Sequence, residues 1–77
     1  MKVKYFALFK EHIQKDEETF DESFSTPLEV LNHIQSKYQL PLNQNQIRVA
    51  INEEFAHWDS ALNQGDVLVF IPPVAGG

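Results

Sequence analysis

The chain has 77 residues, no cysteine and a net charge of −5, with 43% hydrophobic and 22% charged residues, the balance of one ordinary folded domain. A domain this small buries only about 60% of the surface its unfolded chain exposes, which argues against a self-contained enzyme with an enclosed active site. The acidic balance disfavours nucleic acid and anionic membranes as partners, and the missing cysteines exclude disulfides, thiol nucleophiles and cysteine metal sites.

The segment Val3–Phe9 (VKYFALF) is rich in aromatic and β-favouring residues and reads as a first strand. Val3, Tyr5, Ala7 and Phe9 would form its apolar face, with Phe6 and Leu8 sharing the other face with Lys2 and Lys4. Its apolar run is too short for a signal peptide or a membrane span, so a soluble, cytoplasmic protein is expected. A charged turn follows, then an edge-like second strand over Thr19–Phe24. The acidic residues Asp16, Glu17, Glu18, Asp21 and Glu22 lack the glycine and spacing of a calcium loop and read as a solvated face.

The segment STPLEVLNHIQSKYQLP carries the clearest local signal. Thr26 caps, Pro27 suits the first helical position, and Glu29 completes a T-x-x-E capping box. Leu28, Leu31, Ile34 and Tyr38 recur at helical spacing, and Pro41 closes the segment. Ile47, Val49 and Ile51 then alternate with Arg48, Ala50 and Asn52 as a half-buried strand. The chain returns through a two-residue turn centred on Asn52-Glu53 or on Glu53-Glu54. Either centre places Phe55 on the face opposite Val49 and Ile51, while Ala56 and Trp58 join the core. The last strand, Val67–Ile71, is apolar at every position, as central strands are.

These elements predict an α+β domain over residues 1–71. It is a mixed sheet of about five strands, first and last parallel, with one main helix packed on one face, the β-grasp (ubiquitin-like) architecture. Residues 72–77 form an extended tail. A single helix covers a single sheet face, leaving Phe6, Leu8, Phe55 and alternate residues of the last strand pointing away from it. Of the two parities of that strand, the preferred one exposes Val67, Val69 and Ile71. Contiguous apolar residues of this kind mark a partner interface. Chemistry-bearing constellations are otherwise missing. His12, His33 and His57 share no metal-ligand spacing, no serine carries a nucleophile motif, and there is no phosphate loop. No metal and no bound cofactor are expected.

The tail reads differently. Pro72 and Pro73 end the sheet ladder and launch an extended segment. Val74, Ala75, Gly76 and Gly77 are small enough to thread a narrow channel, and Gly77 leaves a sterically open carboxyl group. From Ile71 the tail reaches up to about 20 Å. The face would bind and the tail would react.

The opening VKYFALFKE, the helix TPLEVLNHI, the VAIN hairpin and the ending LNQGDVLVFIPPVAGG cover the whole chain. Together they resemble the MoaD family, the small subunits of molybdopterin synthase, within the ubiquitin-like sulfur carriers. Thiamine-pathway carriers also end in Gly-Gly but usually lack the Pro-Pro pair. The resemblance implies that an ATP-dependent adenylyltransferase of the ubiquitin-activating type adenylates Gly77. A persulfide donor then converts it to a thiocarboxylate. It implies sulfur donation to cyclic pyranopterin monophosphate in the active site of a large subunit, within a heterotetramer of two large and two small subunits. Phe6, Phe55 and Ile71 match the family's hydrophobic contact positions. The alternatives are a carrier for thiamine thiazole synthesis and a ubiquitin-like protein modifier.

Overall fold

The structure, a computed structural model, describes residues 1–72. In chain order its elements are β1 (Lys2–Lys4), α1 (Ala7–Ile13), β2 (Glu17–Thr19), α2 (Pro27–Tyr38), a 3₁₀ turn (Gln44–Gln46), β3 (Arg48–Ile51), β4 (Glu54–Ala56) and β5 (Val67–Ile71). The strands form one sheet in the order β2-β1-β5-β3-β4. β1 and β5 run parallel and the other pairs antiparallel. This is the mixed five-stranded β-grasp sheet that the sequence predicts, with β5 at its centre.

The first expected strand stops early. β1 ends at Lys4, Ala7 turns the chain through the left-handed region at φ +48°, and α1 begins. Phe9 and Ile13 stand four residues apart, so one helical turn places both inward. Phe9 packs against Phe70 with ring centroids 6.0 Å apart. Burying Phe9 and Ile13, at about 1.5–3 kcal/mol each, outweighs the strand preference of an aromatic heptapeptide. The described residues therefore hold two helices, not one. Leu8, expected on a strand face beside Phe6, stands on α1.

The second strand is also displaced. Glu17–Thr19 pairs with β1, Lys2 opposite Thr19 and Lys4 opposite Glu17. Phe20 and Phe24 leave the ladder and meet edge to face at 6.0 Å beside His33. Opposite charge across the strands and the shortness of β1 fix this register better than the apolar pair would.

α2 follows its signals. The Thr26 hydroxyl accepts from the Glu29 amide at 3.4 Å, and the Glu29 carboxylate accepts from the Ser25 amide at 3.1 Å, one residue before the cap. Val30, Leu31 and Ile34 are buried, and Gln39 closes the helix in the left-handed conformation. They meet Val3, Leu68, Phe70 and Val49 of the sheet, with Phe9 and Ile13 of α1, in one core. Ala56 and Trp58 pack at its margin, as expected. The β3–β4 turn centres on Asn52 and Glu53, both at positive φ (+51° and +72°), the signature of a type I′ hairpin. None of the described helices is long and apolar enough to cross a membrane.

Candidate functional site: the open sheet face

Both helices bury side chains in the same core, so alternate strand residues point the other way. The register defines a row across that face: Glu17, Lys4, Val69, Ala50 and Phe55 on successive strands. Val67 and Ile71 flank Val69 on β5 and are half-buried, whereas Leu68 and Phe70 between them have no exposed surface. Phe55 is 69% exposed and Phe6 52%. Ala50 is buried between Val69 and Phe55. The Arg48 guanidinium lies over the Phe55 ring at 4.9 Å, holding it outward on the sheet edge.

Phe6, Val67 and Val69 line a shallow depression with Lys4, Asn52 and Glu53. Of the residues expected on this face, the structure places Phe6, Val69, Ile71 and Phe55 there. Leu8, 37% exposed on α1, is not among the residues lining the depression. Pro72 follows directly from β5 and is half-buried. Pro73, Val74, Ala75, Gly76 and Gly77 lie outside the described residues. Lys4, Arg48, Asn52 and Glu53 were not singled out from the sequence. The shared parity of Lys4 with Phe6 was the available signal.

Two polar clusters hold the frame rigid. At one end, Asn52 is clamped to the start of β5. Its side-chain oxygen accepts from the Val67 amide at 3.0 Å, and its amide nitrogen donates to Asp66 at 3.0 Å. Asp66 also accepts from the Asn63 amide, and these hydrogen bonds, Asn63 first, lower its pKa. At the helix side, Glu18 is a hub rather than the solvated carboxylate the sequence suggested. It accepts from the hydroxyls of Tyr5 (2.9 Å) and Tyr38 (2.8 Å) and from the ammonium groups of Lys37 (2.8 Å) and Lys15 (3.4 Å). Burial alone would push its pKa up. Hydrogen bonds from Lys37, Tyr38 and Tyr5 outweigh that and hold it at about 2. The same burial, with Glu18 as acceptor, raises the pKa of Tyr5 and keeps its hydroxyl protonated as a donor.

Among the described residues no group of three or more histidine, aspartate or glutamate side chains is placed to hold a metal ion. His12 bonds the Tyr38 carbonyl at 2.9 Å and His33 meets Glu22 at 3.4 Å, both structural contacts. What the site offers is a preformed apolar surface with a charged rim, on a sheet whose central strand leads into the Pro72 segment.

A small mixed sheet with helices on one face and a bare apolar face on the other defines a ubiquitin-like β-grasp protein. The chain belongs to the ThiS family, whose model matches residues 3–77. It is 34% identical to the molybdopterin synthase sulfur carrier subunit of Haemophilus influenzae, over all of this chain and 99% of that one. The crystal structure of SAMP1 from Haloferax volcanii superposes with a TM-score of 0.78 at 25% identity, covering 99% of this chain and 97% of that one. A chain from the complex of subunits 1 and 2 of the molybdopterin-converting factor of Helicobacter pylori superposes with a TM-score of 0.65 at 25% identity, covering 99% and 96%.

Proposed function

We propose that this chain is the sulfur carrier of a molybdopterin synthase, acting with a large subunit and not as an enzyme on its own. The observation that carries the reading is the open apolar face, with Phe6 and Phe55 exposed and β5 leading from it into Pro72. Membership of the ThiS family and a relative named as a sulfur carrier subunit support the same reading. So does a superposable chain in a complex with subunit 2 of the molybdopterin-converting factor.

In this reading Gly77 is the reacting residue. A carboxylate is a poor electrophile, so an ATP-dependent adenylyltransferase of the ubiquitin-activating type converts it to an acyl adenylate and releases pyrophosphate. A persulfide donor displaces AMP, and a second thiol cleaves the resulting acyl disulfide to leave the glycyl thiocarboxylate. Its sulfur is nucleophilic at neutral pH and attacks cyclic pyranopterin monophosphate in the large subunit, building the dithiolene of molybdopterin. Pro72 and Pro73 aim the segment, and Val74, Ala75 and Gly76 thread it. Two large and two small subunits make the assembly, and the cytoplasm is its compartment.

Energetics divide the labour. Fixing the last four residues in a partner's active site costs about 4–8 kcal/mol, at 1–2 kcal/mol each. Glycine and alanine bury little in return, so the affinity comes from Phe6, Phe55, Val69 and Ile71 on the folded face.

Intact mass spectrometry of the protein isolated from its native host tests the reading. A sulfur-for-oxygen exchange on Gly77 is the expected result. Conjugates on lysines of other proteins, with no exchange, would assign a ubiquitin-like modifier instead. Deleting Gly77 is expected to abolish molybdopterin synthesis while the fold and large-subunit binding persist; synthesis by that variant would refute the assignment.

A further inference from the structure

The positive charges of this acidic protein are almost all matched. Lys2 meets Glu17 at 3.1 Å and Lys10 meets Asp16 at 2.8 Å. Lys15 and Lys37 share Glu18, and Arg48 lies over the Phe55 ring. Among the described residues Lys4 alone of the lysines and arginine has neither an acidic nor an aromatic partner. Its cross-strand neighbours are Val69 and Glu17, and the Glu17 carboxylate is engaged by Lys2. Lys4 is half-buried in the depression beside Phe6, Val67 and Val69. An ammonium beside an apolar surface, with no ion pair of its own among the described residues, is available to a carboxylate that a docking partner presents. A charge-assisted hydrogen bond of that kind is among the stronger polar contacts.

The other side of the same depression carries the opposite sign. Glu53 lines it from the β3–β4 turn, across β5 from Lys4, and no cation pairs with it among the described residues. Its φ of +72° is a conformation that glycine adopts freely and glutamate only under strain. A type I′ turn favours glycine at this second central position. A strained carboxylate kept where glycine would fit better, on the rim of an apolar surface, points to a task for its charge.

We infer that Lys4 and Glu53 fix the register of docking. The partner lays an apolar side chain on Val67 and Val69, presents a carboxylate to Lys4, and presents a basic group to Glu53. The inference rests on the docking reading above and specifies its chemistry. An apolar patch alone tolerates sliding, whereas two opposite charges astride the central strand admit one orientation of the partner.

The test titrates the full chain into the molybdopterin synthase large subunit from the same source, by calorimetry at low and high salt. Lys4→Met keeps the apolar stem and removes the charge, and is expected to weaken binding at least about tenfold at low salt. Lys4→Glu weakens it further, Lys4→Arg stays near wild type, and Glu53→Gln, which leaves the backbone unchanged, costs several-fold. The salt dependence of the wild type should be steeper than that of Lys4→Met. Thermal midpoints near wild type are expected for Lys4→Met, Lys4→Arg and Glu53→Gln, because neither side chain packs in the core. Lys4→Glu, by contrast, stands opposite Glu17 and lowers the midpoint slightly. Wild-type affinity for Lys4→Met and Lys4→Glu, alongside lost binding by Phe55→Lys, would overturn this inference and leave the docking reading standing. A wild-type protein that does not bind the large subunit would overturn both.

Discussion

The two faces of the sheet are cut from the same strands and much the same residue types, yet they have opposite fates. Along β5, Leu68 and Phe70 are fully buried while Val67, Val69 and Ile71, one residue away on either side, remain half-buried. Hydropathy does not separate them, since all five are apolar. The difference is what covers them: α1 and α2 both deliver their apolar side chains, Phe9, Ile13, Val30, Leu31 and Ile34, to one side. An apolar face that no helix covers among the described residues is a core awaiting its second half, and on the proposed function a partner protein supplies it.

That contrast is broken most sharply by trading one phenylalanine against another. Phe70 packs between Phe9 (6.0 Å) and Trp58 (5.9 Å), so Phe70→Ala should cost about 3–5 kcal/mol. In a domain holding some 5–15 kcal/mol in total, that leaves it close to unfolding, as urea denaturation would report. Phe55→Ala removes an exposed ring and its contact with Arg48, and should cost under about 1 kcal/mol. Its effect belongs in the affinity for the large subunit, with a loss of tenfold or more expected by calorimetry. Equal losses of stability in the two variants would mean that the faces are not distinct.

The polar hub on the covered side is the next largest effect. Glu18→Gln removes charge from a group that accepts from two hydroxyls and two ammonium groups, and is expected to cost about 1–3 kcal/mol. The pH dependence follows from the lowered pKa. A carboxylate held at about 2, against an ordinary 4.5, contributes stability that is fully present above the ordinary value. That contribution is lost as pH falls toward 2. The gap in unfolding free energy between wild type and Glu18→Gln should therefore be constant near neutrality and close between pH 4.5 and about 2. A gap unchanged at pH 2 would remove Glu18 from the account.

Much of this was legible in the sequence where local signals were strong. Thr26, Pro27 and Glu29 announced α2, and uniform apolarity announced β5 as central. The parity argument that put Phe55 on this face needed only the short turn at Asn52, whereas uniform apolarity left the parity of β5 to a preference that only the pairing of Val69 with Ala50 decides. The sequence misled where tertiary burial overrode propensity. Tyr5 to Phe9 has the composition of a strand, and the competing cue was the four-residue spacing of Phe9 and Ile13, which pays off only once Phe70 is opposite. Glu18 looked like one more surface acid because its partners Tyr5, Lys37 and Tyr38 are distant in sequence and meet it only through the fold. The charges of the open face, Lys4 and Glu53, were invisible for a related reason: what marks them is the absence of an ion-pair partner among the described residues, which requires every other ion pair there to be placed first.

The smallest expected effect discriminates most finely between the roles of the two faces. Glu53→Gly would give the hairpin the Asn-Gly pair that type I′ turns prefer and relieve a glutamate held at φ +72°. Left-handed strain on a non-glycine residue is worth about 1–2 kcal/mol, part of which is offset by the greater chain entropy of glycine when unfolded. A net gain of about 0.5–1 kcal/mol is expected, visible as a rise of a few degrees in thermal midpoint for a domain of this size. If the charge of Glu53 serves docking, the stabilised variant binds the large subunit less tightly than wild type. Stability and affinity then move in opposite directions at one residue. A variant that is both more stable and equally well bound would show that the strain at Glu53 has no function at the open face.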